Sequence, residues 1–305
     1  MVTNLLIIDI SPDSVVIAEF DRERCCPVYT EHYTVMEYRD TGAILAEHFG
    51  RTRNDTAETC CVICDALRSG EWIIPLHNPQ MRFSENTLKL LSGSRQLFLL
   101  STSEALAFST LMPAEQHMLH LSGKDLIDVC GLRLTVELDN AVACNVLSSG
   151  TGKWKHRRVT DEPEALPYIP FLEDFIHHYG VRFLLSERGL TTLYDYFSIR
   201  NGKDAQGLMS ADILTDHTRK DEEAYGLATE HYFALLQGFF SYLHSGLHNT
   251  GPGPVFVIHT SSPAGFEKFY RQHAPHSSAF SVYLIRNTTP RLYGTAAWYR
   301  QTLTR

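Results

Sequence analysis

Apolar positions cluster in short blocks along the first hundred residues. Residues 4–10 and 14–20 form two such runs, separated by Ser11-Pro12-Asp13, whose residue types favour a tight turn. The chain is therefore predicted to open with a β-hairpin. A third apolar run spans Thr59 to Ala66. A fourth, Gln96 to Leu100, stops at Ser101 and is followed by the helix-forming Glu104-Ala105-Leu106-Ala107. Two further strand-like runs fall within 126–147. Ser148 to Lys153 then makes a tight connection, and Trp154 begins a return.

From 171 to 247 the period becomes helical. Phe171, Phe175 and Ile176 share a face, as do Leu190, Leu193, Tyr194 and Phe197, and then Tyr232, Leu235, Leu236, Phe239 and Leu243. Gly251-Pro252-Gly253-Pro254 breaks the pattern. Short strands are predicted at 255–258 and 281–285, and a closing helix at Tyr293 to Leu303. Strands and helices mixed in this order predict two α/β lobes, with ligands expected in the cleft between them.

Composition narrows the function. The 305 residues are 44% hydrophobic and 20% charged, an ordinary globular balance. The longest apolar runs, Leu5 to Ile8 and Val255 to Ile258, are strand-sized, well short of the roughly 20 residues of a membrane helix. Asp9 follows the first apolar run, and no basic leader or small-residue cleavage pattern precedes it, so a cytoplasmic protein is expected. Seven cysteines spread over this length predict reduced thiols rather than a disulfide framework. A net charge of -8 argues against an electrostatic grip on nucleic acid, and the basic cluster Lys153 to Arg158 reads as a solvated turn.

The segment Leu185-Ser186-Glu187-Arg188-Gly189-Leu190-Thr191-Thr192-Leu193-Tyr194 resembles the Leu-Ser-Gly-Pro-Gly-Leu-x-x-Leu-Tyr segment of bacterial glucokinases. Ser69-Gly70-Glu71-Trp72 with Asn78 is similar to the family's Gly-Asp-Trp…Asn-His sugar-side stretch. Leu292-Tyr293-Gly294-Thr295-Ala296 and Arg300 to Leu303 extend the likeness to the end of the chain. The resemblance implies an α/β, two-lobed, actin-like (ribonuclease H-like) fold of hexokinase and glucokinase type. A small lobe of 1–108, completed by the helix 291–305, would accompany a large lobe of 109–290. It also implies a homodimer.

The positions that carry the family's chemistry differ. Its first hairpin turn cradles phosphate with Asp-x-Gly-Gly-Thr, glycines letting backbone N–H groups approach the oxygens. Here Asp9 persists, but Ser11, Pro12 and Asp13 fill the turn. Pro12 offers no N–H. An Asp13 carboxylate beside a phosphate costs about 4 kcal/mol for unit charges 4 Å apart at an effective dielectric near 20. Alone, Asp9 reads equally as a turn cap or a magnesium partner.

The family's second glycine pair falls on His259 and Thr260. Its Asn-Asp base position falls on Ser101 and Thr102, and loss of a general base costs roughly 10²–10⁴ in rate. The Gly-Glu-Gly-Gly-His stretch falls near Glu162 to Leu166, a later glutamate aligns with Arg182, and the second phosphate loop aligns with Gly131 to Leu134. Of the sugar contacts only Asn78 persists.

Other motifs have plainer readings. Cys61-Val62-Ile63-Cys64 has the spacing of a zinc half-site or redox pair, but it lies inside an apolar strand run without a second pair, so buried cysteines and no metal are expected. Gly150-Thr151-Gly152-Lys153 lacks the remaining Walker A residues and reads as a hairpin turn. His244 and His248 stand at helical spacing, and surface histidines are the expectation.

The sequence thus predicts a catalytically inactive glucokinase-like protein that binds a protein partner or a small sugar-like ligand, with no cofactor. The alternative is a divergent sugar kinase that uses Mg-ATP through a rearranged site, with Glu104 or Asp13 as base or metal ligand.

Overall fold

Strand β1 (Leu5–Ile10) is buried along its whole length, because it is flanked on both sides by other strands and covered on both faces. That is why its sequence is a continuous apolar run ending in Asp9 and Ile10 rather than an alternation. The computed structural model describes residues 5–21, 24, 26–51, 57–112, 117–127, 131–139, 142–150, 153–160, 172–205, 207–215, 222–245, 253–259, 261–274 and 280–303. The chain divides into two units, Met1–Met112 with Thr289–Arg305, and Pro113–Thr288.

In the first unit β1 is followed by β2 (Ser14–Asp21), β3 (Cys26–Thr34), α1 (Thr41–Arg51), β4 (Thr59–Ile63), β5 (Ala66–Ser69), β6 (Trp72–Pro75), β7 (Phe83–Ser84), α2 (Glu85–Ser92), β8 (Gln96–Leu100) and α3 (Thr102–Phe108). The main sheet runs β3-β2-β1-β4-β8, with β1, β4 and β8 parallel and β2 and β3 antiparallel, while β5, β6 and β7 form a small separate sheet. The predicted opening hairpin is present, with Ile10 opposite Val15. The sequence reading passed over β3, whose residues are half-buried or exposed along most of its length and so carry little apolar signal.

The second unit contains β9 (Met118–Ser122), β10 (Leu132–Glu137), β11 (Ala143–Gly150), β12 (Lys153–Val159), α4 (Glu173–Tyr179), α5 (Val181–Leu184), α6 (Glu187–Arg200), α7 (Ser210–Thr215), α8 (Glu223–Ser245), β13 (Val255–Ile258), α9 (Pro263–His273) and β14 (Val282–Ile285). Its sheet runs β12-β11-β10-β13-β14-β9, with β10, β13 and β14 parallel. The aromatic face of α8, including Tyr232, Phe239 and Phe240, packs with Leu190, Leu193, Tyr194 and Phe197 of α6 in one core cluster. The last helix, α10 (Pro290–Leu303), belongs to the first unit, where Leu292, Ala296 and Tyr299 join Leu5, Ile7, Phe20 and Ile63 in a core cluster. Among the described residues no helix is long and apolar enough to cross a membrane.

Two expectations change. Lys153 to Arg158 is not a turn but most of edge strand β12, paired antiparallel with β11 from Gly150–Lys153 to Cys144–Val159. Trp154, His156 and Val159 are its less exposed positions, and exposed basic residues on an edge strand deter pairing with other chains. Gly131 to Leu134 is not a phosphate loop. Leu132 begins β10, and that strand pairs with β11 as far as Glu137 opposite Ala143, residues 140 and 141 lying outside the described residues. The turn at 150–153 is a hairpin connection, Thr151 and Gly152 lying outside the described residues.

Candidate functional site

The residues of interest gather at the carboxyl ends of neighbouring parallel strands, three in the first unit and two in the second, where open α/β sheets place their ligands. In the first unit Asp9 ends β1, Cys64 and Asp65 follow β4, and Ser101 and Thr102 follow β8. The Cys64 N–H donates to the Leu100 carbonyl at 3.0 Å, which holds the last two strand ends level.

The first hairpin turn is closed by the Ser11 N–H donating to the Ser14 carbonyl at 2.8 Å, while Pro12 and Asp13 are exposed. Above it sits a residue that the motif comparison missed. Arg291, in the first turn of α10, approaches a carboxylate oxygen of Asp9 with its Nε at 3.1 Å and donates from NH2 to Ser11 Oγ at 2.9 Å. Asp9 is 5% exposed, and its Oδ1 has no hydrogen-bond partner among the described residues. Burial raises the Asp9 pKa, and the Arg291 charge offsets part of that rise. A cation in the first turn of a helix opposes the helix dipole, and that local conflict was the available sign that Arg291 has a specific partner.

The remaining first-unit positions have structural employment. Ser101 caps α3, its hydroxyl accepting from the Glu104 N–H at 3.1 Å. The Thr102 N–H donates to Asp65 Oδ1 at 3.2 Å, so the family's base position lies beside a carboxylate that the sequence comparison did not single out. Glu104 lies on the first turn of α3 as expected. Burial raises its pKa, and its carboxylate accepts a hydrogen bond from Trp298 of the closing helix. Asn78 immediately precedes the short 3-10 turn Pro79–Met81. That turn borders a groove of about 680 Å³ whose lining includes Arg39, Trp72, Gln80 and Arg82, with the Arg82 guanidinium 5.1 Å from the Trp72 ring centre.

In the second unit Asp139 follows β10 and His259 follows β13. The Leu138 N–H donates to the Ile258 carbonyl at 3.0 Å, and the Glu187 N–H donates to the Asp139 carbonyl at 3.1 Å. Asp139, Glu187 and His259 thereby converge, each offering a ligand atom within 4.8 Å of the others. Burial lowers the His259 pKa, while Asp139 and Glu187 act in the opposite direction. Thr260 lies outside the described residues, as do 161–171, the expected place of the sugar-contact stretch around Glu162 to Leu166. Arg182 is an internal clamp: NH1 donates to the Val142 carbonyl at 3.2 Å and NH2 to the Val159 carbonyl at 2.9 Å, tying both ends of the β11–β12 hairpin.

The residues that carried the resemblance are packing residues. Ser186 caps α6 by accepting from the Gly189 N–H at 3.3 Å, and a Cβ on Gly189 would lie 2.2 Å from the Phe183 carbonyl oxygen. Leu190, Leu193 and Tyr194 are buried beneath them.

Cys60, Cys61 and Cys64 are buried thiols of β4 and its end, and burial pushes the Cys64 thiol up to about 12. Thiol labelling of the native protein is expected to modify half-buried Cys26 well before Cys60, Cys61, Cys64 or Cys144. A chelator is expected to leave that order unchanged, whereas fast labelling at Cys61 and Cys64 after chelation would reveal a metal pair there. His244 is half-buried, its ring nitrogens meeting the carbonyls of Phe240 and Gly253, and His248 lies outside the described residues.

No protein-family model matches the sequence, and no curated protein does. Solved structures match over nearly the whole chain. A glucokinase from an Antarctic psychrotroph is 14% identical, with a TM-score of 0.77, covering 98% of this chain and 99% of that one. A ROK family glucokinase from Streptomyces griseus, in complex with glucose and AMPPNP, is 14% identical with a TM-score of 0.58, covering 98% and 99%. A ROK family transcriptional regulator, a homolog of the E. coli MLC protein, is 10% identical with a TM-score of 0.60, covering 98% of this chain and 80% of that one. With strand order, hairpins and closing helix as described, the chain has the actin-like ATPase fold of the ROK glucokinases and sugar kinases.

Proposed function

We propose that the protein is a catalytically inactive, glucokinase-like pseudokinase, a cytoplasmic homodimer that acts by binding a protein partner or a small sugar-like ligand. The observation that carries this reading is the engagement of Arg291 with both Asp9 and Ser11 at the first hairpin turn. A magnesium nucleotide needs that place for itself. Its metal wants the Asp9 carboxylate, already matched by a guanidinium; its phosphates want backbone N–H groups, which Pro12 lacks, and the Asp13 carboxylate repels phosphate. The residues present do not fit Mg-ATP, and no phosphoryl-transfer step follows from them.

The base position supports the same reading. Thr102 carries no carboxylate, and Glu104 is taken up by Trp298. The fold itself serves regulation elsewhere, since one of its similar structures is a transcriptional regulator. The groove beside Trp72 and Arg82 offers an aromatic face and guanidinium donors, a combination suited to a polar, sugar-like ligand.

Asp65 favours a second reading. Its carboxylate at the Thr102 amide stands next to the lost base, where a divergent ATP-dependent sugar kinase with a rearranged phosphate site would want one. Thermal unfolding with and without Mg-ATP, glucose and a panel of other sugars separates the two. A ligand at 100 times its dissociation constant adds roughly 2.7 kcal/mol of stability. No shift with Mg-ATP is expected, with or without glucose. A clear shift, accompanied by glucose-dependent ADP formation that Asp65→Asn abolishes, would establish the kinase instead.

A further inference from the structure

We infer that Asp139, Glu187 and His259 form a binding site for one divalent first-row transition metal ion. The inference rests on the second unit alone and stands whether or not the chain transfers phosphate.

Three separate elements deliver the donors: the end of β10, the first residue of α6 and the end of β13. Their backbones are tied by the Leu138 to Ile258 and Glu187 to Asp139 hydrogen bonds, so the convergence belongs to the scaffold and not to loose side chains. His259 is 2% exposed. Its Nδ1 lies 3.9 Å from Asp139 Oδ1 and accepts from the Ser262 N–H at 3.3 Å, which leaves the ring proton on Nε2; a metal ion would take over the Nδ1 lone pair from that long hydrogen bond. The Ser261 hydroxyl stands 3.2 Å from the same Nδ1 and donates to Glu187. One nitrogen of a buried imidazole and an oxygen of each of two carboxylates thus converge on a common point.

A cation satisfies such an arrangement. Donors bound to one ion at about 2.0–2.2 Å lie roughly 3–4.2 Å apart. The His259 to Asp139 spacing of 3.9 Å already fits, and the 4.8 Å limit of the whole set closes with a small carboxylate rotation. One imidazole nitrogen with two carboxylate oxygens suits ions of the Mn²⁺ to Zn²⁺ series. It does not suit Mg²⁺, which prefers oxygen ligands and keeps its waters.

The test uses the full chain stripped of metal, titrated separately with MnCl₂, ZnCl₂ and MgCl₂. One Mn²⁺ per chain is expected by calorimetry, with nitrogen hyperfine coupling in its pulsed electron paramagnetic resonance spectrum and little competition from equimolar Mg²⁺. Glu187→Gln and Asp139→Asn should each weaken Mn²⁺ and Zn²⁺ binding about tenfold or more, while the metal-free melting curves stay close to wild type. His259→Gln should remove the nitrogen coupling. Absence of stoichiometric binding, or binding unchanged in both carboxylate variants, would overturn the inference.

Discussion

Arg291→Met is expected to destabilise the first unit by about 3 kcal/mol near neutral pH, measured by urea unfolding. The value sits at the low end for a broken buried ion pair, because solvent reaches part of the guanidinium. The side chain of Asp9 is 6% exposed and that of Arg291 31%, so the loss falls mainly on a carboxylate left without its counter-charge. The pH dependence identifies the cause. Burial already raises the folded-state pKa of Asp9 above its ordinary 3.8, and removing Arg291 removes the charge that lowers it. A carboxyl with a raised folded pKa contributes full stability below its unfolded pKa and loses it as pH rises through the folded one. The deficit of the variant should therefore shrink as pH falls through the raised folded-state pKa of Asp9, where the carboxyl takes up its proton. Asp9→Asn combined with Arg291→Met should recover most of the loss, since a neutral pair of similar shape carries no buried charge. A deficit independent of pH and additive in the double variant would show that Arg291 acts only through packing.

That ion pair also marks the limit of what the sequence made readable. The hairpin at 4–20, the strand ending at Leu100 and the closing helix were all visible, because each is written locally in apolar period and turn chemistry. The family likeness was visible for a related reason. Ser186, Gly189 and Leu190 persist because a cap, a close backbone approach and a core contact tolerate few substitutes. What fills the altered positions was not readable. Asp9 and Arg291 stand far apart in the chain, and only the fold of α10 against β1 brings them together. Asp139, Glu187 and His259 lie on three elements whose adjacency depends on parallel pairing between β10 and β13, and no local pattern encodes that pairing. Weak local signal explains the other misses. The basic run at 153–158 looked like a turn because charge outweighed its alternation, although an edge strand has one face free for such residues.

Gly294 tests the claim that packing holds the closing helix in place. A Cβ there would lie 1.8 Å from the Ala105 carbonyl oxygen and 2.7 Å from the Ser109 nitrogen, so α10 crosses α3 with backbone almost against backbone. No flexible side chain is available to yield, because the obstructing atoms are main chain. Gly294→Ala must push α10 off a surface formed with Leu5, Ile7, Ile63 and Ala105, and with it the first turn that carries Arg291. The expected cost is about 3 kcal/mol, the upper part of the range for overpacking a core, despite the better helix propensity of alanine. Gly226, on α8, supplies the control, since nothing lies within 4 Å of its Cβ position. There the same substitution should stabilise by about 0.5–1 kcal/mol through backbone entropy alone. Opposite signs for the two glycines would confirm that the Leu292 to Ala296 segment is retained for helix contact. Equal, small effects at both would mean that α10 yields easily, and that the engagement of Asp9 by Arg291 is correspondingly loose.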